Sequence, residues 1–314
     1  MALYLITGGC GFIGSHLASA LLARGDRVRV LDDLSTGLRD NLLPGCDLLE
    51  GDVADPALVR RAMEGVDGCF HLAAIASVEL GLRDWLGTHR VNLGGTITVL
   101  DAARAGRVPV AYASSAAVYG EQARMPITEA AVPRPLSSYG ADKLGSEQHA
   151  RVAGAVHGVP SCGLRFFNVF GPRQDPRSPY SGVISIFCGR MAAGEPVTIH
   201  GDGRQTRDFV PVAQVVAALL GGMRAASVAA PVFNVCTGRP TSVLDLAQAV
   251  AAACGVAPDI RHGPPRAGEI RESFGDPALS ERELGLGAAQ PLAEGLREVV
   301  AWLRAGSPAA GVSR

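Results

Sequence analysis

From residue 2 onward, short apolar runs alternate with stretches of 10 to 20 residues in which apolar positions recur at helical spacing. The runs at 3–6, 28–32, 47–50, 69–73, 108–114 and 162–168 have the length and apolar content of buried strands. Between the first two, residues 12–24 line up Ile13, Leu17, Ala20, Leu21 and Ala23 on a helix, and residues 92–104 do the same with Leu93, Ile97 and Leu100. The alternation predicts an α/β fold in which six parallel strands are joined by right-handed helical crossovers in a doubly wound sheet. After about residue 170 the rhythm degrades into a stretch rich in Pro and Gly (Gly171, Pro172, Pro176, Pro179), then mixed helices and short strands. Helices are expected there at 212–225 and 242–254, the second with Ser242 and Asp245 placed as caps. The expected division is a nucleotide-binding domain over 1–170, mainly a smaller lobe over 171–304 with some chain returning to the sheet, and a frayed tail at 305–314.

Composition narrows the class. A chain of 314 residues with 47% hydrophobic and 19% charged residues folds into a full core. A net charge of -1 gives no electrostatic footprint for nucleic acid or an anionic membrane. The first 23 residues carry no Asp, Glu, Lys or Arg, yet there is no basic n-region, and Gly8, Gly9, Gly11 and Gly14 interrupt the apolar stretch. The segment is therefore read as strand, turn and helix rather than a signal peptide or membrane span. Seven cysteines are scattered without CxxC or metal-ligand spacing, which points to reduced thiols and a cytoplasmic protein. The histidines form no HExxH or clustered pattern, so no metal is expected.

The first chemical motif is Thr7-Gly8-Gly9-Cys10-Gly11-Phe12-Ile13-Gly14, directly after a strand and opening a helix. Glycines at 8, 11 and 14 let the backbone turn tightly and approach a pyrophosphate seated on the helix N-terminus. The second strand ends in Asp32 and Asp33, eighteen residues past Gly14, where an acid accepts both adenosine-ribose hydroxyls and repels a 2′-phosphate. Together these features predict a Rossmann-type domain that binds NAD in preference to NADP.

A third element is Tyr139-Gly140-Ala141-Asp142-Lys143, with Ser114 and Ser115 ending a strand upstream. On a helix, i and i+4 share a face, so phenol and ammonium are neighbours, and the ammonium is expected to lower the phenol's pKa. Lys143 is the single lysine of the chain, every other basic residue among the 29 being arginine. Position 143 therefore needs a compact ammonium that a planar guanidinium cannot replace.

In these motifs the sequence resembles the extended short-chain dehydrogenase/reductases, specifically the NAD-dependent nucleotide-sugar 4-epimerases of the UDP-glucose 4-epimerase type. The stretches that carry the resemblance run from TGGCGFIGSH (7–16), LDDLSTG (31–37), GDV (51–53), HLAA (71–74) and VNLGGT (91–96) to YASSAAVYG (112–120) and SYGADK (138–143). They continue with LRFFNVFGPRQDP (164–176), GDGRQTRDFV (201–210) and RAGEIRESFGD (266–276). The resemblance implies Ser115, Tyr139 and Lys143 as the catalytic set. Tightly bound NAD is then held by the glycine turn, Asp32, Asp33, Ser35, Gly37, Asp52, Val53, Leu72, Ala73, Ala74, Asn92, Tyr139, Lys143 and Phe166. It further implies a UDP-sugar held by Ser115, Tyr139, Asn168, Val183, Arg207, Arg266, Glu269 and Ser273, and a homodimer built by helices near 84–105 and 138–157.

Ala116 and Ala117 stand where related dehydratases and decarboxylases carry acids, which favours a reaction that returns its own hydride. A small residue at Ser273, and Arg173-Gln174-Asp175-Pro176 followed by Tyr180 and Val183-Ile184, resemble members that accept N-acetylhexosamines. The expected substrate is UDP-N-acetylglucosamine, UDP-glucose or both. UDP-glucuronate 4-epimerisation, another epimerase or dehydratase reaction, and a non-catalytic NAD sensor are the alternatives. Glu79 departs from the pattern expected near the sugar pocket and leaves the 6-substituent open.

Overall fold

The computed structural model describes residues 1–176, 182–265, 268 and 270–306. Its strands are β1 (Leu3–Thr7), β2 (Arg27–Asp32), β3 (Cys46–Glu50), β4 (Gly68–His71), β5 (Val110–Ser115), β6 (Ser161–Phe166) and β7 (Asn168–Phe170). They continue with β8 (Val197–His200), β9 (Thr206–Pro211), β10 (Val232–Val235), β11 (Pro240–Ser242), β12 (Ile260–Gly263) and β13 (Glu272–Ser273). The helices are α1 (Phe12–Ala23), α2 (Pro56–Met63), α3 (Val78–Arg83), α4 (Trp85–His89), α5 (Gly95–Ala103) and α6 (Ser138–His157). In the second half lie α7 (Val183–Ala192), α8 (Val212–Ala225), α9 (Val243–Cys254), α10 (Ala278–Leu284) and α11 (Leu292–Arg304).

Seven parallel strands form the main sheet in the order β10-β6-β5-β4-β1-β2-β3. Inner strands buried on both faces read as near-continuous apolar runs, which makes them legible in the sequence, whereas β3 lies at the edge with Asp47 and Glu50 exposed. The seventh, β10, is only four residues long and returns from the second half of the chain. One face of the sheet packs against α1 and α8, the other against α2, α5 and α6, each over its own hydrophobic cluster. A third cluster, including Phe187, Met191, Leu246, Val250, Leu296 and Val299, is the core of the smaller lobe.

Three expectations are corrected. Helix α8 packs on β6 and α1 and so covers the sheet, although its position after residue 170 placed it with the smaller lobe. The strand expected over 162–168 stops at Phe166; Asn168–Phe170 then pairs with β9 in a different sheet, because Phe167 takes the chain out of the main one. The helix expected near 84–105 is continuous only in outline, since Arg90–Gly94 adopts a π-helical turn between α4 and α5. Helix α6 covers 138–157 as expected, closed by Gly158 in the left-handed region.

Candidate active site

The strand order reverses between β4 and β1, and ligands of doubly wound sheets bind in the crevice that opens there beyond the strand ends. The glycine turn occupies that position. Gly8 has φ +73°, and a Cβ on it would lie 2.8 Å from the backbone nitrogen of Ala73. A Cβ on Gly14 would collide with the Gly8 carbonyl and lie 2.8 Å from Gly9 Cα. Only glycine lets turn, helix and neighbouring strand approach this closely. Helix α1 begins after Gly11 with no side-chain cap and no acid in its first turn. Its open N–H groups face the cavity and suit an anion.

That cavity encloses about 300 Å³ and is lined by Gly8, Gly11, Phe12, Ile13 and Gly14 from the turn. Asp32, Asp33, Ser35 and Gly37 line it after β2, and Val53, Leu72, Ala73 and Ala74 complete it. Asp32 is buried, its carboxylate accepting from the backbone N–H groups of Cys10 and Leu34, both at 2.9 Å. Burial raises its pKa, while those two bonds work the other way. Asp33 accepts from the backbone and hydroxyl of Ser35. Two expected contacts do not reach the lining. Asp52 turns to Arg90, at 2.6 Å, and Asn92 is buried below, clamping the backbone of Ile75 through both ends of its amide. Asn92 thus shapes the loop at Ile75 from beneath the cavity. The glycine cradle, open helix end and terminal acid fit a dinucleotide.

A second cavity of about 310 Å³ adjoins the first and shares Phe12, Ile13 and Gln174 with it. Ser115, Tyr139, Lys143, Phe166, Asn168 and Val183 all line it. Ser115 ends β5, and its hydroxyl accepts from the N–H of Ala117, capping the turn over Ala116–Val118. Tyr139 lies in the first turn of α6, whose N-cap Ser137 bonds the N–H of Gly140. The Lys143 Nζ donates to the Ala113 carbonyl at 2.9 Å and sits 5.8 Å from the Tyr139 ring centroid. The three expected catalytic residues therefore converge from β5 and α6.

The electrostatics differ from the expectation. Burial raises the phenol of Tyr139 above its ordinary value, and a hydrogen bond with Ser115 is what works against the rise. The Lys143 ammonium lies beside the ring, held by a main-chain carbonyl, and desolvation is the larger influence on the phenol. Burial likewise pushes the Lys143 ammonium down to about 8, opposed by the Asp142 carboxylate next in sequence. Asp142 is itself buried and hydrogen-bonded to His89 at 2.7 Å.

Among the expected substrate residues, Arg207 on β9 and Ser273 on β13 are register partners. Neither is in the cavity wall, but Arg207 shares a strand face with Phe209, which is. Arg207 donates to the carbonyls of Thr206 and Ile270. Arg266, Glu269, Tyr180, Pro179 and 307–314 lie outside the described residues. Glu79 is exposed and paired along α3 with Arg83, and it lines neither cavity. The sequence reading missed Gln174, which lines both cavities and accepts from the Ser185 hydroxyl, and Arg173 and Asp175, which line the first. Their signal was the 173–176 stretch, which was singled out without a place in the site. Among the described residues, no three His, Cys, Asp or Glu side chains are grouped to hold a metal ion, and no helix is long and apolar enough to cross a membrane.

Comparison with known proteins decides the family. The profile of the NAD dependent epimerase/dehydratase family matches residues 4–236. The chain belongs to that family. It is 36% identical over 315 residues to the UDP-glucose 4-epimerase of Mycolicibacterium smegmatis, covering 96% of this chain and 98% of that one. The structure of Thermus thermophilus UDP-glucose 4-epimerase in complex with NAD superposes with a TM-score of 0.90 at 36% identity, over 97% of this chain and 99% of that one. The UDP-N-acetylglucosamine 4-epimerase of Methanobrevibacter ruminantium, in complex with UDP-N-acetylmuramic acid, superposes with a TM-score of 0.92 at 32% identity, over 97% and 98%. The dinucleotide of this family member is NAD, and the first cavity is where its residues fit it.

Proposed function

We propose that this family member interconverts the C4 epimers of a UDP-hexose through a transient 4-keto sugar. UDP-N-acetylglucosamine and its galacto epimer are interconverted, with UDP-glucose or UDP-glucuronate as competing substrates. The relatives named above support the reaction class, and the lining of the inner cavity carries it for this chain. Among the described residues that lining includes Ser115, Tyr139 and Lys143 but no Asp, Glu or His. Elimination of water or carbon dioxide from a keto sugar calls for a further acid or base. A reaction that removes a hydride and returns it does not. A non-catalytic sensor, for its part, has no use for the serine, phenol and ammonium together.

NAD, when bound, supplies the hydride acceptor that later returns the hydride, together with a positive charge near the phenol. Tyr139 is the base that takes the proton from the sugar 4-hydroxyl, directly or through Ser115, and gives it back to the keto oxygen. Lys143 uses one of its three donors on Ala113, which leaves others for the ribose hydroxyls and fixes its charge beside the ring. Phe166, Phe170 and Phe209 give the pocket apolar walls with no directional hold on either sugar face, so the keto sugar can turn over. By resemblance, Asn168, Arg207, Arg266 and Glu269 hold the nucleoside diphosphate while it does, the two guanidiniums meeting its phosphates. Fixed charge and proximity supply the acceleration. Because the hydride returns, the cofactor has no need to leave.

By resemblance, Ser273, the register partner of Arg207, stands beside the sugar's 2-substituent, and its small side chain supports room for an acetamido group. With Glu79 paired outward to Arg83, nothing at that position selects a 6-carboxylate. We also infer a homodimer, since Leu82 on α3, Trp85 and Leu86 on α4, and Val152 and Val156 on α6 are exposed apolar residues on helices that pack together. Seven free cysteines, six of them buried, suit a reducing compartment, and we place the enzyme in the cytoplasm. The test is a product assay on UDP-N-acetylglucosamine, UDP-glucose and UDP-glucuronate with the wild type and Ser273→Tyr. The variant should lose the N-acetylated activity and keep any UDP-glucose activity. Equal loss on both, or a wild type inactive on N-acetylated sugars, contradicts the pocket assignment.

A further inference from the structure

Behind the inner cavity, and reaching its wall at Ser114, lies a buried polar cluster that the mechanism leaves unused. Glu147 stands one helical turn beyond Lys143 on α6. Its Oε1 accepts from the Ser114 hydroxyl at 2.6 Å and from Arg165 Nε at 2.8 Å, and its Oε2 accepts from Arg165 Nη2 at 2.7 Å. Ser114 precedes Ser115 on β5, and its register partner on β6 is Arg165. Arg165 Nη1 donates to the Tyr119 hydroxyl at 2.8 Å, which donates in turn to Asn234 Oδ1 at 2.6 Å on β10. All five side chains are buried, Ser114, Glu147, Arg165 and Asn234 being 2, 3, 6 and 0% exposed and Tyr119 0%.

Stability alone does not account for such a cluster. Replacing a buried ion pair by apolar residues of similar volume is often neutral or stabilising. What a bidentate guanidinium–carboxylate pair adds is direction, because both bonds of the fork must be met at once. Here the fork fixes Glu147 on α6 against Arg165 on β6, and the same carboxylate takes the Ser114 hydroxyl of β5, so the helix and the strand that carry the chemistry are held in one register. Ser115 is the next residue after one member, and Lys143 and Tyr139 lie one and two turns before another. A small slip of β5 along α6 would separate the Ser115 hydroxyl from the phenol.

We propose that Ser114, Glu147 and Arg165 are positioning residues for the reaction, locking the end of β5 against α6 so that the Ser115 hydroxyl stays on the Tyr139 phenol. The proposal rests on the catalytic reading given above. Loosening the lock weakens the bond that opposes the rise in the phenol's pKa, so the phenol titrates at higher pH. Lys143 is the charged group beside that phenol, and no carboxylate or imidazole lines the pocket among the described residues.

The test is Ser114→Ala, which removes the bond from Glu147 to β5 and leaves the Arg165–Glu147 pair and the Lys143–Ala113 bond intact, compared with Ser114→Thr, which restores a hydroxyl. The readouts are kcat and KM on the UDP-sugar that the wild type turns over, and the titration of Tyr139. The titration is followed by NMR of protein labelled with 13Cζ-tyrosine, assigned with Tyr139→Phe. Ser114→Ala should lower kcat about tenfold or more with KM within about twofold, and should move the Tyr139 midpoint upward. Ser114→Thr should recover both. If Ser114→Ala does not fold, Ser114→Cys, with nearly the volume of serine and a weak donor, should shift kcat and titration the same way. Wild-type kcat and titration in a folded Ala or Cys variant, or a lowered melting temperature alone, overturns the proposal. A wild type inactive on every UDP-sugar overturns the reaction assigned above, while the Tyr139 titration still judges this one.

Discussion

Lys143 should be a stability liability kept for function. It is 2% exposed, and its Nζ donates to the Ala113 carbonyl as its hydrogen-bond partner in the protein. Burial lowers its pKa from 10.5 to about 8, a shift worth about 3 kcal/mol at 1.36 kcal/mol per unit. The folded pKa lies below the unfolded one, so the charged lysine opposes folding. The full cost applies below about pH 8, where both states hold the proton, and fades as pH rises from about 8 toward 10.5, where only the unfolded state holds it. Lys143→Met removes the charge at similar length and forfeits the Ala113 hydrogen bond, worth about 1 kcal/mol. In nucleotide-free protein the variant should be more stable than the wild type by about 2 kcal/mol at pH 7 and about equal at pH 10, while its turnover is abolished. Urea unfolding of both proteins at the two pH values measures the difference. As Lys143 is the chain's single lysine, the Nζ resonance of 15N-lysine-labelled protein gives its titration directly. A variant less stable than the wild type at pH 7, a gap that does not change with pH, or an Nζ midpoint near 10.5 would refute the reasoning.

Two further outcomes concern the dinucleotide cleft. Gly14→Ala forces a methyl group against the Gly8 carbonyl and Gly9 Cα, both backbone, and Gly8 cannot yield because it already abuts Ala73. Strain of about 1–3 kcal/mol should open the turn and deplete bound NAD, read as nucleotide released per protomer on denaturation. Stoichiometric NAD in the variant contradicts this. Asp32→Ser should raise NADP+ affinity relative to NAD+ by about tenfold or more, because the carboxylate that repels a 2′-phosphate is gone. An unchanged ratio in titrations of the two nucleotides would assign the discrimination elsewhere.

The readable parts of this molecule were those where one residue type answers one local demand. Gly8 and Gly14 are required by backbone approach, Asp32 by its place at a strand end, and Tyr139 and Lys143 by helical spacing, so each could be found from neighbours in the sequence. A return of chain to the sheet was legible, but not that β10 and α8 make it, because a four-residue run and an apolar helix look alike whether they pack on the main sheet or on a separate lobe. Gln174 escaped for a similar reason, since its role arises where two cavities from distant segments meet. The upward direction of the Tyr139 shift was not legible because spacing puts Lys143 beside the phenol but says nothing of burial, which raises it.

The central claim is that the enzyme removes a hydride from C4 of a UDP-hexose and gives the same hydride back. It is tested most directly with UDP-N-acetylglucosamine and UDP-glucose deuterated at C4, incubated in ordinary water with the purified protein and no added NAD. Proton NMR and mass spectrometry of the products report both configuration and label. The account predicts a mixture of C4 epimers with the deuterium retained at C4 of both. Epimers that have exchanged the C4 label for solvent protons, or no epimer from any UDP-sugar offered to a protein that contains NAD, would contradict it.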